Sequence, residues 1–460
     1  MNAGRIPLAS DVPPALAQSS SSVPNLIPLW QLLQATAQCL MALRNGRSGT
    51  AALDQVDPAL RPAVQALSFQ VWRYLARAEH LRRQLVRRAP PPHADALLCV
   101  VLALAWNESL APYPPFTLVD QAVEAAKRMG PTRGQAGFIN ACLRRFLRER
   151  AGLVANSEND PVAVWNHPAW WIARLRQDHP HRWQQVLAAD RVHAPMTLRI
   201  NSRRTSQNDF LALLVGYGIA ATAVGPTGVQ LARPMPVHRI PGFDSGLVSV
   251  QDAAAQRAAP LLIQGLPADK SLRVLDACAA PGGKTAHLLE IADCTVTALD
   301  IDPVRCTRIG QTLARLGLQA EVRAADAAQP EQWWDGALFD AILLDAPCTA
   351  SGIVRRHPDV PWLRRASDIE QLALLQAHLL AKLWPLLRAG GRLLYCTCSV
   401  FRAEGDNQIE TFVEHNTDAA LLPSPGHLLP RLPDNDSTVP DNRDRDHDGF
   451  FYALLEKRAP

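Results

Sequence analysis

From Ile27 onward, apolar residues recur three and four positions apart. Leu32, Leu33, Ala37, Leu40 and Leu43 form one stripe, and comparable stripes return over 64–88, 94–108, 117–129 and 135–150. That spacing follows the turn of an amphipathic helix, and few β-branched alternations interrupt it, so the first third of the chain is predicted to be an all-helical bundle. Residues 1–23 are rich in Ser, Pro and Ala without periodicity and read as a disordered lead. The polar run 152–166, with Asn156, Ser157, Asn159, Asp160 and Pro161, reads as a linker. A helix near 168–189 and a strand at 196–202 then mark a small mixed α/β segment over 165–240.

From 241 the pattern changes again. Short β-rich runs at 272–276, 295–299, 321–325, 340–345 and 391–396 alternate with helical stretches near 283–292, 303–316, 367–388 and 404–415. Such alternation predicts an α/β domain: a doubly wound, mostly parallel sheet with helices on both faces, of Rossmann-like type. The polar stretch 433–448 reads as a surface loop before a last strand, FFYALLE. The expected plan is thus a lead (1–23), a helical domain (24–152), a small mixed subdomain (165–240) and a C-terminal α/β domain (241–460).

Composition adds a few bounds. The chain has 460 residues, 48% of them hydrophobic, enough for about three domains of roughly 150 residues with real cores. Its longest apolar run, 96–106, falls short of the roughly 18–20 residues that cross a bilayer. No continuous apolar segment follows the N-terminus, so a secretory signal is not expected and a cytoplasmic location is. Nine cysteines without paired zinc-type spacings argue against a disulfide scaffold and against a structural metal. Nothing demands more than a monomer. The net charge is only +4, but residues 24–150 carry 16 Lys plus Arg against 8 Asp plus Glu. Arg82, Arg83, Arg87, Arg88, Arg144, Arg145, Arg148 and Arg150 could form a solvated helix face or bind RNA.

The chemistry concentrates at the predicted strand ends. Asp276-Ala-Cys278-Ala279-Ala280-Pro281-Gly282-Gly283-Lys284-Thr285 joins the first strand to a helix. Strand, Gly-rich turn and helix N-terminus make a nucleotide-type cradle, because backbone N–H groups approach the ligand closely. Gly283-Lys284-Thr285 also resembles the end of a P-loop, which would make the protein an NTPase, but that motif requires Gly where Cys278 stands. A nucleoside cradle wants an acid at the tip of the next strand, where Asp300 sits. Asp326 and Asp345 follow the third and fourth strands. Any one of these acids could merely cap a helix; together they line a crevice that would repel a diphosphate and suit a cationic nucleoside such as S-adenosylmethionine.

Cys348 follows Asp345 closely, and Cys398 follows the next strand, so both thiols are expected at the cradle's edge of the sheet. Buried packing is the usual role of a lone cysteine. A pair of them there suits methylation at carbon 5 of a pyrimidine, a carbon too weakly nucleophilic to attack a sulfonium methyl unaided. Thiolate addition at carbon 6 makes it enamine-like, and a carboxyl group near N3, such as Asp345, would stabilise the adduct.

The segments DACAAPGGKT, LLDAPCTASGIVRRHPDVPW and YCTCSVFRAEGDNQIE resemble the signatures of the bacterial NOL1/NOP2/Sun family of RNA cytosine-5 methyltransferases. The resemblance extends through LRINS (198–202) and VSVQDAAAQ (248–256), and GFINACLRRFLRE (137–149) resembles a NusB-like RNA-binding domain. It implies S-adenosylmethionine bound by Cys278, Ala279, Ala280, Pro281, Gly282, Gly283 and Lys284, with Asp300, Asp326 and Asp345 as the acidic strand ends. It implies Cys398 as nucleophile, Cys348 as the thiol that assists release, and 16S ribosomal RNA as substrate. Cys396 stands where the family usually has a small residue without a thiol, and is expected to pack. Arg355, Arg356 and His357 could hold the RNA backbone or form a solvated cluster. Trp333, Trp334 and Trp362 could stack bases, but core packing is the plainer reading. A non-catalytic RNA-binding or ribosome-assembly factor with a degenerate cradle, and the P-loop-like NTPase, are the remaining alternatives.

Overall fold

The apolar run 96–106, too short to span a membrane, becomes the buried centre of the N-terminal bundle. In the computed structural model, which describes residues 27–267, 269–430 and 446–459, the bundle comprises α1 (Leu29–Arg44), α2 (Gly49–Leu53), α3 (Arg61–Arg73), α4 (Leu75–Leu85), α5 (Pro92–Ala105), α6 (Pro115–Arg128) and α7 (Ala136–Ser157). Residues 94–105 of α5 are all buried, packed against α1, α3, α4, α6 and α7. A helix surrounded on every side has no polar face to show. Among the described residues, no helix is long and apolar enough to cross a membrane. The 1–23 lead and residues 433–445 of the polar stretch lie outside the described residues.

The expected linker at 152–166 is instead largely helical. The last helix of the bundle continues to Ser157, and α8 (Pro161–Trp165) follows. The polar residues that suggested a loop bind locally: Arg77 donates to Ser157 Oγ at 2.9 Å, and Asp160 caps α8 through Val162 N at 2.9 Å. The helix expected over 168–189 is split at Pro180 into α9 (Ala169–Asp178) and α10 (Trp183–Ala189). A small antiparallel sheet follows, β1 (Met196–Ile200), β2 (Ala221–Val224), β3 (Gly228–Leu231) and β4 (Val248–Val250) in the order β2-β3-β1-β4, covered by α11 (Gln207–Gly216).

The C-terminal domain is the expected doubly wound sheet. Its strands are β5 (Leu272–Ala277), β6 (Cys294–Asp300), β7 (Glu321–Ala324), β8 (Phe339–Asp345), β9 (Leu387–Thr397), β10 (Ala419–Leu428) and β11 (Phe450–Lys457), ordered β10-β11-β9-β8-β5-β6-β7. The five strands from β9 to β7 in that order are parallel; β11 pairs antiparallel with both β9 and β10. α12 (Ala258–Ile263), α13 (Gly283–Ile291) and α14 (Pro303–Leu316) cover one face; α16 (Ala366–Leu383) and α17 (Asp406–His415) cover the other, with α15 (Val360–Leu363) before α16. Burial on both faces explains the nearly unbroken apolar run of β8. The strand absent from the sequence reading, β10, carries Pro423, Pro425 and a register shift, which an edge strand tolerates.

The domains meet on the segment between β8 and α16. Gly49 N donates to Asp359 Oδ2 at 2.7 Å, Trp362 Nε1 to the Trp72 carbonyl at 3.1 Å, and Arg73 to the Arg355 carbonyl at 2.7 Å. The end of the 433–448 stretch closes over the same segment. Gly449 N donates to the Gly352 carbonyl at 2.7 Å, and a Cβ on Gly352 would stand 2.1 Å from Gly449 O. Arg355 binds Asp446 at 2.7 Å and Asp448 at 2.6 Å, and Arg356 binds Asp448 at 2.5 Å and Asp252 at 2.9 Å. This corrects the reading of Arg355 and Arg356 as phosphate contacts or a solvated cluster: the Arg355 side chain is 3% exposed, and both guanidiniums are taken up by the carboxylates of Asp252, Asp446 and Asp448. Asp448 is likewise buried, not part of a surface loop. His357 alone of the three is exposed.

Breaking a buried pair leaves uncompensated charge, at a cost of about 3–5 kcal/mol. Asp448→Ala is therefore expected to lose stability in that range by urea unfolding, whereas Arg365→Ala, at an exposed position, should change it by less than about 0.5 kcal/mol.

Candidate active site

Five parallel strands end on one edge of the sheet, and a crevice opens there beside β5, where the strand order reverses. After β5 the chain turns through Cys278 (φ +65°) and Gly282 (φ +94°) into α13. Only glycine suits position 282, since a Cβ would lie 3.2 Å from the Ile309 Cα in addition to the unfavourable φ. Ala279 N donates to the Leu299 carbonyl at 2.7 Å, which pins the turn to the end of β6. Asp300 Oδ2 accepts from Ala280 N at 3.3 Å and lies 3.4 Å from Arg305 Nη2; Oδ1 accepts from Asp302 N at 3.1 Å. Asp326 accepts from Ala328 N at 2.9 Å and from Gln329 at 2.8 Å. Both acids cap local backbone and also line a cavity of about 120 Å³ with Cys278, Ile301, Pro347 and Leu379. Burial, reinforced by Asp345, Asp300 and Asp276, pushes the Cys278 thiol up to about 12, so it stays protonated.

At the neighbouring strand ends, Asp345 pairs in register with Cys396. Its Oδ2 lies 2.5 Å from Lys284 Nζ, and Cys396 Sγ lies 3.5 Å from Oδ1. Burial alone would lower the proton affinity of Lys284, but the Asp345 carboxylate holds it above its ordinary value. Cys396 is fully buried among apolar neighbours, and burial together with Asp345 keeps it a thiol, in keeping with a packing role. Cys348 and Cys398 are both half-buried, with their sulfurs 3.4 Å apart. The hydrogen bond with Cys398, and then burial, raise Cys348 well above the usual thiol range. Either sulfur of the pair can donate to the other.

The structure therefore brings Cys278, Asp300 and Asp326 to one end of the crevice and Lys284, Asp345, Cys348 and Cys398 to the other. Arg355 and Arg356 stand apart. Trp333 and Trp334 donate to the Asp326 and Ala337 carbonyls, and Trp362 packs on the helical domain.

Three family models match the chain: "16S rRNA methyltransferase RsmB/F" over residues 264–456, the ferredoxin-like domain of RsmF/B-like methyltransferases over 167–238, and the NusB family over 31–148. The "Ribosomal RNA small subunit methyltransferase B" of Pseudomonas putida is 40% identical over 437 residues, covering 92% of this chain and 98% of that protein. The chain belongs to the RsmB/F family of 16S rRNA methyltransferases. The protein of the same name from Vibrio cholerae is 39% identical over 415 residues, 89% of this chain and 92% of that one. Among solved structures, a methyltransferase homologue from Pyrococcus horikoshii is 28% identical, with TM-score 0.54, over 65% of this chain and 98% of that one. The structure of PH0851, at 22% identity and TM-score 0.71, covers 95% of this chain and 100% of that one and shares the fold.

The cofactor of an RsmB/F methyltransferase is S-adenosylmethionine, and the residues present fit it. Two carboxylates at successive strand tips suit ribose hydroxyls and a cationic ligand. Asp276, fully buried at the start of the turn, accepts from Thr285 Oγ1 at 2.5 Å but leaves Oδ1 without a hydrogen-bond partner. Four site residues were not singled out from sequence: Asp276, Gln376, Arg364 and Glu404. Glu404 sits within FRAEGDNQIE, where an acid before a helix reads as an ordinary cap, and only the fold brings it beneath the thiols.

Burial, opposed by the Thr285 hydrogen bond and aided by Asp345, raises Asp276 from 3.8 to about 7. Its native carboxyl keeps a proton that the unfolded chain releases above pH 3.8. The stability it contributes is therefore complete at lower pH and is lost as pH rises towards 7. Unfolding free energies of wild type and Asp276→Asn are expected to diverge in favour of Asn by up to ~1.4 kcal/mol per pH unit between pH 5 and 7, then run parallel; a constant difference across that window would contradict it.

Proposed function

We propose that the chain methylates carbon 5 of a cytidine in 16S ribosomal RNA, position 967 in that RNA's numbering, through a transient bond from Cys398 to carbon 6, and that it works in the cytoplasm. The carrying observation is the 3.4 Å approach of the two sulfurs beside the Lys284–Asp345 pair, at the mouth of the cofactor crevice. S-adenosylmethionine supplies an electrophilic methyl group when bound. Cys398 contributes the nucleophile: its thiolate adds to carbon 6, and the displaced electron pair enriches carbon 5, which then takes the methyl group. Asp345 is disposed to stabilise the adduct at N3 and the exocyclic amine of the ring. A water-borne base then takes the carbon-5 proton, the electron pair of that C–H bond re-forms the carbon 5–carbon 6 double bond, the carbon 6–sulfur bond breaks, and Cys398 departs as thiolate. Cys348, 3.4 Å from that sulfur, assists this last step by giving its proton to the departing thiolate and taking one back from water.

The base has to leave any stack to reach such a crevice. Phosphate contacts are assigned to the helical domain, whose Arg87, Arg88, Arg144 and Arg148 are exposed and form no ion pair among the described residues, unlike Arg82, Arg145 and Arg150. Arg144 and Arg148 border a groove of about 650 Å³ with Phe116, which is 80% exposed. Cations beside an exposed ring suit a single RNA strand, with affinity falling as salt rises. The names borne by the relatives, which specify ribosomal RNA of the small subunit, support this substrate.

Transfer of tritiated methyl groups to small-subunit RNA tests the reading. Cys398→Ala is expected to give neither methylated RNA nor covalent adduct. Cys348→Ala is expected to transfer the methyl group and then accumulate protein–RNA adduct that survives denaturing electrophoresis. Turnover retained without Cys398 would refute the assignment.

A further inference from the structure

We infer that Glu404 is a positioning residue that holds the two sulfurs of the proposed reaction against each other, an inference that rests on the reading of Cys348 and Cys398 given above. Glu404 is fully buried in the turn before α17. Its carboxylate has four donors. Oε1 accepts from Thr349 N at 2.9 Å and Gln376 Nε2 at 3.1 Å; Oε2 accepts from Thr349 Oγ1 at 2.5 Å and Ser399 Oγ at 2.6 Å. Thr349 follows Cys348 and Ser399 follows Cys398, so one carboxylate clips the residue next to each sulfur.

The clip is supported from several sides. Gln376 also donates to the Pro347 carbonyl at 2.8 Å, on the other flank of Cys348, and its Oε1 accepts from Tyr395 at 3.0 Å. Arg364 holds the Cys348 and Thr349 carbonyls at 3.3 and 3.0 Å, and Gly352 N donates to the Cys398 carbonyl at 2.8 Å. Ala350, inside the first loop, has φ +60°, a conformation that non-glycine residues adopt only when their surroundings impose it. Both thiol loops are irregular backbone beyond the ends of β8 and β9, and no ladder bond fixes the sulfurs. The carboxylate supplies what the sheet does not.

Glu404→Gln keeps the volume and one acceptor oxygen but removes the charge and sets an NH2, which only donates, against the Thr349 and Ser399 hydroxyls, which must then turn away from their present bonds to accept. The expected result is a fall in kcat of about 10- to 100-fold, with KM for RNA and for S-adenosylmethionine within about twofold of wild type. A second readout needs neither substrate. Diamide takes two electrons and two protons from neighbouring thiols to give a disulfide and the reduced hydrazine, and peptide mapping follows Cys348–Cys398 bond formation. That rate is expected to drop about tenfold in Glu404→Gln. Ser399→Ala, which removes a single arm, should shift both readouts in the same direction and carries the test where the Gln variant does not fold. Variants that fold and keep wild-type kcat and disulfide rate would overturn the inference. The disulfide rate decides the positioning role even where wild-type protein forms no adduct with cytosine, an outcome that would refute the proposed function instead.

Discussion

The site depends on the parallel pairing of β8 with β9. Parallel strands run side by side less than about 5 Å apart and end on the same edge of the sheet, so residues just past their ends are brought together by the ladder rather than by local sequence. Asp345 opposite Cys396 fixes the register. The two loops that continue from this pair carry Cys348 and Cys398, 50 residues apart in sequence and 3.4 Å apart at sulfur. A slip of one residue would turn every side chain on one strand to the opposite face, burying Asp345 and separating it from Lys284.

Charge in the site follows from burial. Carboxylates at positions 276, 300 and 345 crowd one edge of a low-dielectric sheet, and their mutual repulsion is relieved in different ways. Asp345 holds Lys284; Asp300 takes backbone N–H groups and Arg305; Asp276 has neither and keeps its proton to higher pH. Lys284 is the cation held at this edge by Asp345, and the contact between the two sulfurs, with burial, raises Cys348 above the usual thiol range. The same logic governs the junction between domains. Arg355 and Arg356 are neutralised by Asp252, Asp446 and Asp448, which ties the segment after Cys348 to the C-terminal strand and, through the Arg355 carbonyl and Trp362, to the helical bundle. The helical bundle and the crevice that holds the two sulfurs are thereby carried on one continuous scaffold.

Much of this was legible in the chain. Helical stripes marked the bundle, alternation marked the parallel sheet, and Cys278–Lys284, Asp300, Asp326, Asp345, Cys348 and Cys398 all fall at strand ends that periodicity located within a few residues. What was hidden shares one physical cause: partners distant in sequence. Polar residues at 152–166 looked like a linker because their hydrogen-bond partners, Arg77, His80 and Trp72, lie 70 to 95 positions earlier. Arg355 and Arg356 looked available because the acids that bind them, Asp446 and Asp448 in a segment of loop-like composition and Asp252 far upstream, are all distant in sequence. Glu404 looked like a helix cap until the fold set Thr349 and Gln376 against it. Periodicity reports which face of an element is buried, and it is silent about which buried polar groups find each other.

The most direct measurement is to trap the protein on small-subunit RNA made with 5-fluorocytidine. Fluorine at carbon 5 cannot leave as a cation, so elimination is blocked once the methyl group has been transferred, and the sulfur–carbon bond persists for digestion and mass spectrometry. The nucleotide is expected on the peptide containing Cys398, with one added methyl group and Cys348 unmodified. A nucleotide attached to Cys348, or methylated RNA with no attached protein, would contradict the assignment of Cys398 as the atom that bonds to the base.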